Sequence, residues 1–131
     1  MNDSIPRGFA EEIGVEWVDL GAETATARIV IDKRHLQPYG IVHGGVFSSL
    51  AESLTSAATY TSVKDEGKVA MGQANDTSFL RPATEGTITA TATRRHGGST
   101  TWVWDVDMTD DQGRVCAMSR MTIAVRPARR D

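Results

Sequence analysis

One carboxylate on a helical face of small residues is the feature of this chain best suited to chemistry. From Gly44 to Tyr60 the sequence GGVFSSLAESLTSAATY repeats its apolar residues at helical spacing. At about 100° per residue, Val46, Phe47, Leu50, Ala51, Leu54, Ala57 and Ala58 share one side. Gly45, Ser48, Glu52, Ser56 and Thr59 share the other, with Glu52 at its centre. The apolar side is an ordinary core stripe. The opposite side lacks the Lys–Glu pairs of a solvated helix, so another surface can approach closely and leave Glu52 partly desolvated.

Upstream, His43-Gly44-Gly45 stands where this helix begins. The first turn of a helix offers unpaired N–H groups and the positive end of its dipole. Two glycines there let a substrate carbonyl reach the backbone, whose donors stabilise a developing oxyanion by about 3 kcal/mol each. Glu52 lies about 12 Å further along the same helix, too far for both groups to serve one carbonyl. If they act together, they come from different chains across a dimer interface. Other chemistries fit less well. His35, His43 and His96 show no ligand spacing around the lone Cys116, no Gly-x-Ser-x-Gly elbow occurs, and no Gly-x-x-x-x-Gly-Lys phosphate loop is present.

The flanking segments predict a curved sheet to hold this helix. A short helix near Gly8–Glu12 is followed by strands over Val15–Leu20 and Thr24–Ile31, joined at Gly21-Ala22-Glu23. The central turn and helix occupy Asp32 to about Val63, and Lys64–Lys68 is a charged loop. A long strand runs over Val69–Leu80, where Asn75-Asp76 break the apolar pattern as a bulge or functional kink. Strands over Thr87–Thr93, Trp102–Met108 and Val115–Val125 alternate at period two, with turns at Gly97-Gly98 and Asp110–Gly113. Hairpin links imply a largely antiparallel sheet wrapped around one helix, an α+β architecture. It leaves the outer sheet face and the small polar helix face uncovered, which dimerisation would remedy.

The totals agree with one domain over residues 1–131, with an N-terminal segment to residue 12 and a frayed polar tail at 126–131. At 131 residues, 40% hydrophobic and 24% charged, the chain is neither disordered nor membrane-spanning in composition. Its net charge of −3 argues against a general nucleic-acid binder. The start Met1-Asn2-Asp3-Ser4-Ile5-Pro6 lacks a basic n-region and apolar run, and a single cysteine suits a reducing compartment, so a cytoplasmic location is expected.

Gln37-Pro-x-Gly-x-x-His43-Gly44-Gly45, followed by Leu50-Ala51-Glu52 and Ser56, resembles the hotdog-fold acyl-CoA thioesterases. The likeness is to the subgroup hydrolysing 4-hydroxybenzoyl-CoA and 1,4-dihydroxy-2-naphthoyl-CoA. Gly72 through Pro82, His96-Gly-Gly-Ser-x-x-x-Val103-Trp104 and Gly113-Arg-x-Cys extend it over nearly the whole chain. The resemblance implies Glu52 as nucleophile or as the base activating water. It implies the Gly44 N–H polarising the carbonyl, Gln37 orienting the thioester, His43 beside them, and Ser56 holding the hydrolytic water. Asn75, Phe79, Arg81, Arg94, His96 and Ser99 become candidate substrate contacts, the basic ones for the CoA phosphates. Relatives often carry His where this chain has Phe79, and basic residues near the positions of Ser99 and Thr100. Shared sites in a homodimer, paired as a dimer of dimers, are implied too. No metal or redox cofactor is, CoA being part of the substrate.

Plainer readings stand beside these. In them His43 caps the helix, Gln37 serves only as a turn residue beside Pro38, and Ser56 acts as an interface spacer. Arg94-Arg95-His96 is a solvated strand end, while Trp102 and Trp104 read as sheet packing and Cys116 as buried and inert. A hotdog hydratase or dehydratase, and a non-catalytic acyl-CoA binding protein, are the rival functions.

Overall fold

The computed structural model describes residues 8–129; the first seven residues of the N-terminal segment and the last two of the tail lie outside them. A short helix α1 (Phe9–Glu12) leads into strands β1 (Glu16–Leu20) and β2 (Thr24–Val30). A 3₁₀ turn at Lys33–His35 precedes the long helix α2 (Gly44–Val63). Strands β3 (Lys68–Phe79), β4 (Thr87–Gly97), β5 (Thr101–Thr109) and β6 (Val115–Pro127) complete the chain. All neighbours pair antiparallel in the order β1-β2-β4-β5-β6-β3. This is the antiparallel sheet around one helix that the hairpin links predict, and the hotdog fold that the resemblance implies. Among the described residues no helix is long and apolar enough to cross a membrane.

Helix α2 has 20 residues, so it is about 30 Å long, and it packs against all six strands. Small residues on the inner faces of β2 and β4 (Ala25, Ala27, Ala90, Ala92) let it approach, while Trp104, Met108, Met121 and Ile123 fill the space under β5 and β6. Phe47, Leu50, Ala51, Leu54 and Ala58 supply the helix side of the core. Full burial of Leu50 or Leu54 contributes about 1.5–3 kcal/mol each. Trp102 and Trp104 are packing residues, as expected, and Cys116 is fully buried. Burial pushes the Cys116 thiol above its usual pKa.

Three expectations need correction. Thr59 is not on the exposed helix face: it is fully buried, and its hydroxyl accepts from the Trp104 indole N–H at 2.9 Å. A helical wheel assigns faces by angle alone, whereas the curved sheet wraps further around the second half of α2. The irregularity in β3 lies between Gly72 and Ala74, not at Asn75-Asp76, which pair in register with Met121 and Arg120. The tail is paired through Pro127, which opposes Lys68, because β6 follows the full length of β3.

His35, buried to 1% exposure, ties the segment before α2 together. Its Nδ1 accepts from the Asp32 N–H at 2.9 Å, so Nε2 carries the proton that it gives to the Ile13 carbonyl, 2.7 Å away. Its own carbonyl accepts from the His43 N–H at 2.9 Å. Helix α2 therefore starts from a fixed point.

Candidate active site

The N-terminus of α2 presents one open amide. His43 is the N-cap, with Nδ1 accepting from the Gly45 N–H at 2.8 Å and its carbonyl accepting from the Val46 N–H at 2.9 Å. Gly45 is therefore occupied, contrary to the expectation that both glycines offer donors. Among the described residues the Gly44 N–H has no hydrogen-bond partner. The Phe79 ring lies against Gly44, where a β-carbon would stand 2.9 Å from Cε1, and only glycine allows that packing. Phe79 also meets Phe47, with ring centroids 6.4 Å apart.

Gln37 stands at the same end. The Leu36–Val42 bridge and the bonds Gln37 N–H to Ile41 carbonyl (2.8 Å) and Gly40 N–H to Gln37 carbonyl (2.9 Å) close a tight loop. Gly40 takes the positive φ of 82° that this loop requires. Gln37, Gly44, Phe47, Phe79 and Arg81 line one apolar cleft of about 430 Å³.

Glu52 lies elsewhere on the helix, exposed over the middle of β3. Asn75 Nδ2 donates to the Ser48 carbonyl at 3.0 Å and approaches Glu52 Oε1 at 3.4 Å. Thr77 holds Asn75 from behind, its hydroxyl donating to Oδ1 at 2.6 Å. Gly72 lies beneath the carboxylate: a β-carbon there would stand 3.0 Å from both Cδ and Oε2 of Glu52. Two grooves meet at Glu52, one lined by Phe9, Ala10, Trp17, Ser56 and Ala57, the other by Phe9, Ser48, Ser49 and Asn75.

Within one chain, then, the predicted residues fall into separate groups. Glu52, Ser56 and Asn75 converge; Gln37, Gly44, Phe79 and Arg81 converge at the helix end. His43 acts as the cap. Arg94, His96 and Ser99 stand apart, across β6 and β5 from β3. The Arg94 guanidinium sits 4.6 Å from the Trp102 ring centroid, in space left by Gly97. Arg95 faces Asp105 at 3.6 Å on the outer sheet face. Arg120 donates to both oxygens of that aspartate, at 2.8 and 3.1 Å, and holds its carboxyl below the usual range.

Sequence reasoning assigned no role to Gly72, Phe9 or Trp17. A glycine inside a strand pattern signals a close approach of another group, and Gly72 is such a case. Phe9 carried no signal, because its place beside Glu52 depends on how α1 folds back.

A sequence model of the thioesterase superfamily matches residues 39–117, the span that holds both the Gly44 turn and Glu52. The chain belongs to that superfamily. Its members include enzymes that hydrolyse thioesters. It is 34% identical over 117 residues to the proofreading thioesterase EntH of Cronobacter turicensis, covering 89% of this chain and 85% of that one. It is 34% identical over 113 residues to the 1,4-dihydroxy-2-naphthoyl-CoA hydrolase of Escherichia coli, covering 86% and 82%. The crystal structure of a Haemophilus influenzae thioesterase superposes with a TM-score of 0.84 at 33% identity, covering 90% and 82%.

Proposed function

We propose that this thioesterase hydrolyses an acyl-CoA, with an aromatic acyl group preferred over a long aliphatic one, to the free acid and CoA. Glu52 either attacks the thioester carbonyl, giving an acyl anhydride that water then opens, or takes a proton from the attacking water. The Gly44 N–H stabilises the oxyanion. The C–S bond breaks and the CoA thiol leaves with a proton. Gln37 orients the thioester, Ser56 holds the water, and Asn75 fixes the carboxylate. Arg81, Arg94, His96 and Ser99 are the candidates for the CoA end. The reaction as written uses water as its only co-reactant and needs no metal or redox group.

The observation that carries this reading is the separation of the two half-sites along one helix together with the free edge of β3. Among the described residues β3 pairs only with β6, so its other edge has unpaired backbone groups over 12 residues. Such an edge invites a second strand. Antiparallel pairing of β3 with a second copy, about a two-fold axis near the middle of the strand, brings the Gly72 end of one β3 to the Phe79 end of the partner's. Strands there are about 4.8 Å apart, and both helices stay on one face of the joined sheet. Glu52, over Gly72, then faces the amide beside the partner's Phe79. The homodimer completes two equal sites, and pairs of dimers form the tetramer of the proposal; a cytoplasmic enzyme accords with it.

Thiol release from aryl-, arylacetyl- and fatty acyl-CoAs tests the reaction. The wild-type protein releases CoA, and Glu52→Ala loses about 10³-fold in kcat while remaining folded. Hydration of an enoyl-CoA without thiol release, or a Glu52→Ala variant of near-normal kcat, would sink the proposal.

A further inference from the structure

We infer that Thr77 and Ser119 are positioning residues for the reaction, acting on Glu52 through Asn75. The inference rests on the thioesterase reading of Glu52. Side chains alternate between faces along a strand, so Asn75 and Thr77 share the face of β3 toward α2. Register sets Ser119 of β6 directly opposite Thr77. The other inward positions of β6 are apolar: Ala117, Met121, Ile123 and Val125 are all buried. Ser119 breaks that pattern with a hydroxyl at 5% exposure. A buried hydroxyl costs free energy unless it is hydrogen-bonded, and Ser119 Oγ lies 2.6 Å from Thr77 Oγ1.

The direction of every bond follows from one end. The Ser48 carbonyl can only accept, so the atom of Asn75 that lies 3.0 Å from it is the donor Nδ2. Oδ1 then turns to Thr77, whose hydroxyl donates to it at 2.6 Å. A hydroxyl has one proton, so Thr77 accepts from Ser119 and Ser119 donates. The chain runs from Ser119 through Thr77 to Asn75 and ends with Nδ2 3.4 Å from Glu52 Oε1. Catalytic hydrogen bonds that are long in a free enzyme commonly tighten in the substrate complex. The reversed amide would set Oδ1 against both the Ser48 carbonyl and the carboxylate, oxygen against oxygen. Thr77 excludes that state by offering Oδ1 a donor, and Ser119 polarises the Thr77 hydroxyl from behind. Glu52 thus meets an N–H held in one place by two hydroxyls from neighbouring strands.

Kinetics with benzoyl-CoA and NMR of the Asn75 amide test this chain, with circular dichroism and thermal melts establishing that each variant folds. Thr77→Val keeps the shape and removes the donor. It is expected to lose about tenfold in kcat with KM within about twofold, because the amide bears on the reacting carboxylate and not on substrate binding. Thr77→Ser restores the hydroxyl and is expected to stay within about threefold of wild type. Ser119→Ala keeps the Thr77–Asn75 bond without its polarisation and is expected to lose about threefold. In an Asn75→Ala background, Thr77→Val is expected to change kcat by less than about twofold, since its intermediary is already gone. A threonine that only supports the fold would cost the same in both backgrounds. The side-chain amide resonances of Asn75, assigned by their loss in Asn75→Ala, read the orientation without turnover: Thr77→Val moves them and Thr77→Ser does not. Equal losses in the two backgrounds, unmoved amide resonances in Thr77→Val, or Ser119→Ala at the wild-type rate would overturn the inference. Absence of thiol release with the amide resonances behaving as expected would instead overturn the hydrolytic reading alone.

Discussion

Glu52 lies over Gly72, where a β-carbon would stand 3.0 Å from the Cδ and Oε2 of that carboxylate. The glycine is what lets the acid rest on the strand beside Asn75. Gly72→Ala pushes the carboxylate away from Asn75, and the exposed glutamate has room to move, so the fold tolerates the change. The shift needed is a few tenths of an ångström, less than the displacement of about 1 Å that costs about 10²-fold in rate. The expected result is a fall in kcat of up to about tenfold for acyl-CoA hydrolysis, with an unchanged far-ultraviolet spectrum and a thermal midpoint close to wild type. A Gly72→Ala enzyme of full activity would remove the positional role of this contact.

The proposed division of the site between two chains predicts complementation. Gly44→Pro is suited to the test, because proline is accepted at the first position of a helix and removes the N–H, while its β-carbon displaces the tip of the Phe79 ring. His43, with φ −62° and ψ 135°, already has the extended backbone that a residue before proline needs. Gly44→Pro and Glu52→Ala are each expected to be inactive. Mixed after reversible dissociation, they form hybrids with one intact site in every two, and recover roughly one quarter of wild-type activity. Hybrid formation without recovery would place both groups in the same chain.

The buried pair Thr59–Trp104 predicts a stability effect with no bearing on chemistry. The Thr59 hydroxyl accepts from the indole at 2.9 Å and donates to the Thr55 carbonyl at 2.7 Å. Thr59→Val keeps the shape and leaves the Trp104 N–H without an acceptor. The cost is about 1–3 kcal/mol, read as a lower urea midpoint at constant slope. An unchanged midpoint would show that the indole finds another partner.

How far the chain announces itself differs from residue to residue. Local spacing is enough to recover the strands, the long helix and the turn at Gly40, because period two, period 3.6 and a required positive φ are properties of neighbouring residues. It is enough, too, to separate Gly44 from Glu52 by two helical turns, so that the two groups could serve one carbonyl only across two chains. Tertiary structure decided the rest. Thr59 became core because the sheet curls around α2, and curvature is a sum over six strands that no window of sequence contains. Gly45 lost its donor to the side chain of His43, whose own backbone N–H is tied to the His35 carbonyl of the preceding loop. The grooves around Glu52 need Phe9, Trp17 and Asn75, which lie far from it along the chain, and only packing brings such residues to one carboxylate.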